Sequence, residues 1–121
     1  MPHCIIEYSS SLESTLSPSL LVDVVHQATL DSGLFDTSHI KTRALAYDYF
    51  QLAGEYHDFI HVTIRLHSGR TVLQKQRLTA GILQALENIK LSAITLTVEA
   101  VDMHSESYAK HSVIQGFVSR E

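Results

Sequence analysis

The sequence predicts an α+β fold in which two βαβ units form a four-stranded mixed sheet with two helices on one face. Three observations carry this expectation. The apolar pattern runs strand, helix, strand and then strand, helix, strand again, and equivalent points of the two halves lie about 52 to 56 residues apart. A chain of 121 residues with 45% apolar composition is long enough to bury one core and too short for two ordinary domains. We therefore expect one domain over 1–121, with pseudo-repeats at about 2–50 and 57–102 and a C-terminal tail at 103–121.

The first strand is expected from Pro2 to Tyr8, where two adjacent isoleucines lead to an aromatic end and then to the turn-forming Ser9, Ser10 and Ser11. Ser17 and Pro18 then read as N-cap and first helical position, since proline lacks the N–H that would be unpaired there anyway. Leu20, Leu21, Val24, Val25 and Ala28 recur at helical spacing, and Gly33 is a suitable stop, so the first helix spans about 18 to 31. The run Thr42 to Phe50 is rich in Ala, Tyr, Leu and Phe without helical caps and predicts the second strand.

The third strand, His57 to Leu66, has the plainest pattern: Ile60, Val62, Ile64 and Leu66 alternate with Phe59, His61, Thr63 and Arg65. Thr71 and Gln74 form a T-x-x-Q capping box, followed by Leu78, Ile82, Leu86 and Ile89 on one face of a helix over about 72 to 90. Ile94, Leu96, Val98 and Ala100 alternate with Thr95, Thr97 and Glu99 in a fourth strand ending near Asp102. Right-handed crossovers put both helices on the same side of the sheet. The opposite side, with His61, Thr63, Thr95 and Thr97, is then left bare and invites burial against other subunits.

Composition narrows the function classes. Nine Lys and Arg against thirteen Asp and Glu, a formal charge of -4, argue against a sequence-independent nucleic-acid binder. One cysteine, Cys4, permits neither an internal disulfide nor a thiolate metal cluster, which fits a reducing compartment. No segment approaches the ~20 apolar residues of a membrane span, so the expectation is a cytoplasmic chain without a membrane partner. His57 and His61 stand four apart, but on a strand that is roughly 13 Å, too far for both rings to bind one zinc, and no metal site is expected.

Three stretches, M-P-H-C-I-I-E at the start, H-D-F-I-H-V-T-I-R-L-H-S-G-R-T in the middle and Q-K-Q-R-L in the second helix, carry a recognisable pattern. In order and spacing, over about residues 1 to 104, the chain resembles the 5-carboxymethyl-2-hydroxymuconate isomerase family of the tautomerase superfamily. The resemblance implies a homotrimer with sheets inward and helices outward, and active sites near the subunit interfaces. It also implies a cofactor-free activity in aromatic-compound breakdown.

Pro2 is the expected catalytic residue. A small residue after Met1 permits removal of that methionine, leaving a secondary amine on a rigid ring that is already oriented by the strand. An ordinary terminal amine has a pKa of about 7.7 to 8.0; desolvation and nearby cations favour its neutral, basic form. Read without the resemblance, a Met-Pro start is an inert chain end. If Met1 stays, the nitrogen of Pro2 is an amide and cannot act as a base.

Arg70 follows Ser68 and Gly69 and precedes the capping Thr71, which sets its guanidinium near the start of the second helix, where an anion is already favoured. The alternative is a solvated turn arginine, and the matched S-G-R tips the reading toward carboxylate binding. Lys41 and Arg43, at i and i+2, share a strand face and offer a paired cationic site, or else a charged edge that discourages aggregation. In the family both positions of this pair tend to be arginine, so Lys41 keeps the charge and loses the fork. Glu7, Asp48 and Glu99 are expected on strands as buried partners or acids, and His3 is expected to point away from the face of Pro2.

The resulting expectation is a 1,3-proton shift on an unsaturated hydroxy- or oxo-dicarboxylate, with 5-carboxymethyl-2-hydroxymuconate as the substrate the resemblance implies. Pro2 takes and returns the proton, and Lys41, Arg43 and Arg70 hold the carboxylates of this small-molecule partner. The rival expectation is a non-catalytic trimeric ligand-binding protein on the same scaffold. A third is a dehalogenation or decarboxylation of small unsaturated acids that uses the same proline.

Overall fold

A computed structural model describes residues 1–115 and, for the backbone alone, 117–119. The elements run β1 (His3–Ser9), α1 (Pro18–Asp31), β2 (Lys41–Tyr47), β3 (Asp58–His67), α2 (Val72–Glu87) and β4 (Ile94–Met103), followed by a small hairpin of β5 (Ser112–Ile114) and β6 (Phe117–Ser119). Short 3-10 turns sit at Ser10–Ser14, Thr37–His39 and Ser105–Ser107. The main sheet has the order β2-β1-β3-β4; β1 pairs parallel with β2, β3 parallel with β4, and β1 antiparallel with β3. It is the expected four-stranded mixed sheet.

Alternation divides the sheet into two faces. Cys4 and Ile6 of β1 and Ile60, Val62, Ile64 and Leu66 of β3 are fully buried, and they share one core with Leu21 and Val25 of α1 and Leu78, Ile82 and Leu86 of α2. Both helices therefore cover the same face. The other face carries the residues in register with His3, Ile5 and Glu7, among them Arg43, Leu45, Thr63 and His61, and the Thr95, Thr97 and Glu99 of β4. Leu45 is 57% exposed there. Such a mixed, open face is the surface a second subunit would cover.

Several boundaries differ from expectation for local reasons. β2 ends at Tyr47, not Phe50, because its partner β1 ends at Ser9, in register with Tyr47, and leaves residues 48–50 without a strand to bond. Asp48 consequently lies beyond the strand on which it was expected. Phe50 instead packs on Phe59, ring centroids 5.3 Å apart. α2 stops at Glu87 and not near 90, since Lys90 turns to a positive φ of 64°. Ser17 occupies the N-cap of α1 with Pro18 at the first turn, but its side chain makes no capping bond. Gly33 does end α1, with φ 70°.

Two polar groups are buried in this core. Thr29 Oγ1 donates back to Val25 O at 2.8 Å and meets Cys4 Sγ at 3.5 Å, so the helix satisfies its own hydroxyl. Ser9 Oγ donates to Asp58 Oδ1 at 2.7 Å and accepts from the Phe59 N–H at 3.2 Å, fixing the end of β1 to the start of β3.

The capping box is present in full. Gln74 N donates to Thr71 Oγ1 at 3.1 Å and Thr71 N to Gln74 Oε1 at 2.8 Å. Thr71→Ala is expected to destabilise the fold by about 1 kcal/mol, read from urea unfolding, by leaving an N-terminal donor of α2 unpaired. An unchanged midpoint would mean that water replaces the cap without loss.

Candidate active site

The start of β1, the connection from α1 to β2 and the turn from β3 to α2 meet around a cavity of about 380 Å³. Leu34, Phe35, Asp36 and His39 line it from the first connection, His67 and Arg70 from the second, and Met1 closes it. Arg70 does not lean on the start of α2. Its guanidinium reaches across to donate to Leu34 O at 3.0 Å and lies 4.5 Å above the Phe35 ring, a cation–π contact that holds the charge at the cavity wall. Asp36 is tied to its own turn, accepting from Ser38 N at 3.0 Å and Ser38 Oγ at 2.8 Å.

Pro2 is the next residue after Met1, which lines this cavity, and is itself buried. The ring is fully buried, and Met1 before it is only 7% exposed. Pro2 O accepts from Lys41 N at 3.0 Å, which joins residue 2 to the first residue of β2. The Met1 amine donates to His39 O at 2.8 Å, and Lys41 Nζ donates to the same carbonyl at 3.0 Å. The two amines therefore converge on one oxygen. Burial first, then the hydrogen bond and charge of Lys41, and then the charge of Lys110, lower the Met1 amine to about 5.

Arg43 shares its strand face with Lys41, the two lying in register with Ile5 and His3. It lies on the open face of the sheet, where Nη1 is 3.1 Å from His3 Nδ1. His3 points away from the buried side, as alternation requires, and its other nitrogen meets Tyr108 Oη at 2.9 Å. Burial, followed by the charges of Arg43 and Lys41, pushes the His3 pKa down, which favours a neutral ring. Arg70 thus lines the cavity with Met1, and Lys41 reaches its edge through its bonds to His39 O and Pro2 O. Arg43 faces the surface left for a neighbour.

The acids expected on strands have other partners. Glu7 accepts from the Tyr47 hydroxyl, and Glu99 Oε2 is 2.7 Å from His61 Nε2, whose Nδ1 meets Thr97 Oγ1 at 2.7 Å. His57 lies before β3 and His61 in it, and among the described residues no group of three or more His, Cys, Asp or Glu assembles to hold a metal ion. Nor is any helix of the described residues long and apolar enough to cross a membrane.

His39, His67, Tyr108 and Lys110 were not singled out in the sequence. His67 falls on the open-face phase of β3 and three residues before Arg70, a spacing that could have drawn notice. Tyr108 is a lone aromatic in a polar stretch, and its packing on His67, centroids 5.1 Å apart at 89°, together with its hydroxyl on His3, gives it a place.

A larger groove of about 720 Å³ runs between α1 and α2, past Asp23, Gln27, Arg77 and Gln84. Size alone does not make it the site. The smaller cavity joins Arg70 to the buried start of the chain, close to Lys41, and that convergence of charge is what small anionic ligands need.

The family described as 5-carboxymethyl-2-hydroxymuconate isomerase matches residues 2–117. A 5-carboxymethyl-2-hydroxymuconate Delta-isomerase of Escherichia coli is 28% identical over 79 residues, 64% of this chain, and the chain spans 63% of that relative's length. The crystal structure of a 5-carboxymethyl-2-hydroxymuconate delta-isomerase superposes with a TM-score of 0.76 at 21% identity, covering 91% of this chain and 87% of the other. A 5-carboxymethyl-2-hydroxymuconate isomerase from Deinococcus radiodurans R1 gives 0.74 at 19% identity, covering 90% and 87%. The two structures share the tautomerase fold seen here. A match over nearly the whole chain, on the element order and mixed sheet described above, means that the chain belongs to the 5-carboxymethyl-2-hydroxymuconate isomerase family.

Proposed function

We propose that this chain is a cofactor-independent isomerase that shifts a proton along an unsaturated hydroxy- or oxo-acid with two or more carboxylates, with the tricarboxylate 5-carboxymethyl-2-hydroxymuconate as substrate. The observation that supports the reading is that Arg70 and Met1 line one cavity of about 380 Å³, with Lys41 bonded at its edge to His39 O and to Pro2 O, in a chain of this family. Removal of Met1, which lines the cavity, leaves the nitrogen of Pro2 as a secondary amine beside it. That amine takes the proton of the dienol, the resulting dienolate spreads its charge toward Arg70, and the protonated amine returns the proton to the distant carbon. Lys41 and Arg70 hold carboxylates, and Arg43 completes a site from the open face when three chains assemble as a trimer. The family description supports reading this activity as a step in the breakdown of aromatic compounds, which we assign to the cytoplasm.

The pH dependence follows from the cations. The neutral amine is the working base, so kcat/KM rises with pH through its pKa and then levels off. Burial and Lys41 lower the pKa of the Met1 amine, and the same surroundings act on an amine one residue further in. The rising limb is therefore expected below the ordinary terminal-amine range of about 7.7 to 8.0. Lys41→Met removes a cation that favours the neutral form, so the limb moves to higher pH. A pH–rate profile that stays in place would remove Lys41 from the neighbourhood of the base.

Retention of Met1 defines one rival. A chain that keeps Met1 has an amide at residue 2 and acts at most as a ligand-binding protein. Intact mass decides between them, because the isomerase must be lighter by one methionine; turnover by a chain that retains Met1 would rule out Pro2 as the base.

A further inference from the structure

His67 stands in the cavity wall three residues before Arg70, and its ring is held from two sides by the segment after β4. Ser105 Oγ is 2.9 Å from Nδ1, and the Tyr108 ring meets the imidazole edge-on, centroids 5.1 Å apart at 89°. Tyr108 is fixed in turn. The Arg43 guanidinium can only donate, so His3 Nδ1 accepts from Nη1 at 3.1 Å, and the His3 ring carries its proton on Nε2, which donates to Tyr108 Oη at 2.9 Å. An imidazole braced in this way gives up little rotamer freedom when it meets a ligand.

The bond to Ser105 occupies Nδ1, and His67 Nε2 has no hydrogen-bond partner among the described residues. Among the same residues no buried side-chain nitrogen or oxygen lacks a partner, so this nitrogen is accessible to a ligand. Arg70, in the same wall, fits a carboxylate. In a 2-hydroxy or 2-oxo acid a further oxygen stands on the carbon next to the carboxylate. Two donor side chains three residues apart in one wall suit that pair of oxygens.

We propose that the Ser105 hydroxyl donates to His67 Nδ1, leaving the ring proton on Nε2, and that this Nε2–H donates to the 2-oxygen of an acid whose adjacent carboxylate lies on Arg70. His67 thereby selects 2-hydroxy and 2-oxo acids. The assignment deepens the isomerase reading, on which it rests for the identity of the cavity. In that reaction negative charge gathers on the same oxygen in the dienolate, and an N–H already in place stabilises it more than it stabilises the neutral hydroxyl. The proton stays on the ring throughout, and the base remains Pro2.

The test is equilibrium binding of two planar diacids to the full chain by calorimetry: 2-hydroxybenzene-1,4-dicarboxylate, and benzene-1,4-dicarboxylate, which lacks the hydroxyl. Both are inert to the proton shift, so binding is read without turnover. Wild type is expected to prefer the hydroxy acid about fivefold, the worth of one hydrogen bond. His67→Phe keeps an aromatic ring against Tyr108 and removes the donor, so the two affinities should come within about twofold of each other while benzene-1,4-dicarboxylate binds as it does to wild type. His67→Gln restores an N–H donor and is expected to keep part of the preference. No binding to wild type, no preference in wild type, a preference kept by His67→Phe, an equal weakening of both ligands in His67→Phe, or a His67→Gln chain as indifferent as His67→Phe each overturns the assignment. Should Pro2→Ala turn over as fast as wild type, the isomerase mechanism fails while the binding comparison still decides the role of His67.

Discussion

Pro2→Ala is expected to lower kcat/KM for 5-carboxymethyl-2-hydroxymuconate by about 10²- to 10⁴-fold, the range that a positioned general base contributes. Alanine also permits removal of Met1, so the variant still offers an amine at residue 2. That amine is primary and rotates about a free φ, whereas the pyrrolidine nitrogen is fixed by its ring and by the Pro2 O to Lys41 N bond. The loss should therefore fall mainly on kcat, with KM changed little, because Arg70 and Lys41 remain in place. Pro2 is buried, so the thermal midpoint of the variant belongs beside its kinetics. A folded Pro2→Ala protein with wild-type kcat would end the proline mechanism.

The fold was legible where one period dominated. Ile60, Val62, Ile64 and Leu66 alternate over a strand buried on one side, and the helix faces through Leu21 and Val25 and through Leu78, Ile82 and Leu86 repeat every three or four residues. The T-x-x-Q box located the start of α2 to the residue. Legibility failed where a strand's end depends on its neighbour. Nothing local to Asp48, Tyr49 and Phe50 says that β1 has already run out of partners at Ser9. Ser17 shows a smaller failure of the same kind: the right residue stands at the N-cap, and its hydroxyl is not used.

The site was legible in part, for a different reason. Residues 2, 41 and 70 could be picked out by chemistry and position, and parallel pairing of β1 with β2 brings the first two together. The contact of Arg70 with Leu34 O and Phe35 joins residues 36 and 35 apart in sequence, without any periodic signal. Tyr108 and Lys110 lie in a polar stretch whose composition gives no reason to fold back on His3 and His67. Long-range contacts of this kind are set by the sheet order, which places the end of β3 beside the start of β1.

Arg70→Ala is expected to reduce kcat/KM for a dicarboxylate by about 100-fold, with Arg70→Lys losing about tenfold. The arginine fork meets a carboxylate through two parallel donors, and lysine restores the charge with one. Arg70 also has a structural task, since its bond to Leu34 O and its position over Phe35 hold the connection that forms one wall of the cavity. The lysine variant separates the two tasks. It can still sit over Phe35 as a cation, so the wall should survive with a near-wild-type thermal midpoint, while KM rises because the fork is gone. If Arg70→Lys binds substrate as tightly as wild type, Arg70 serves only to brace the wall, and the carboxylate must be held by Lys41 and its neighbours.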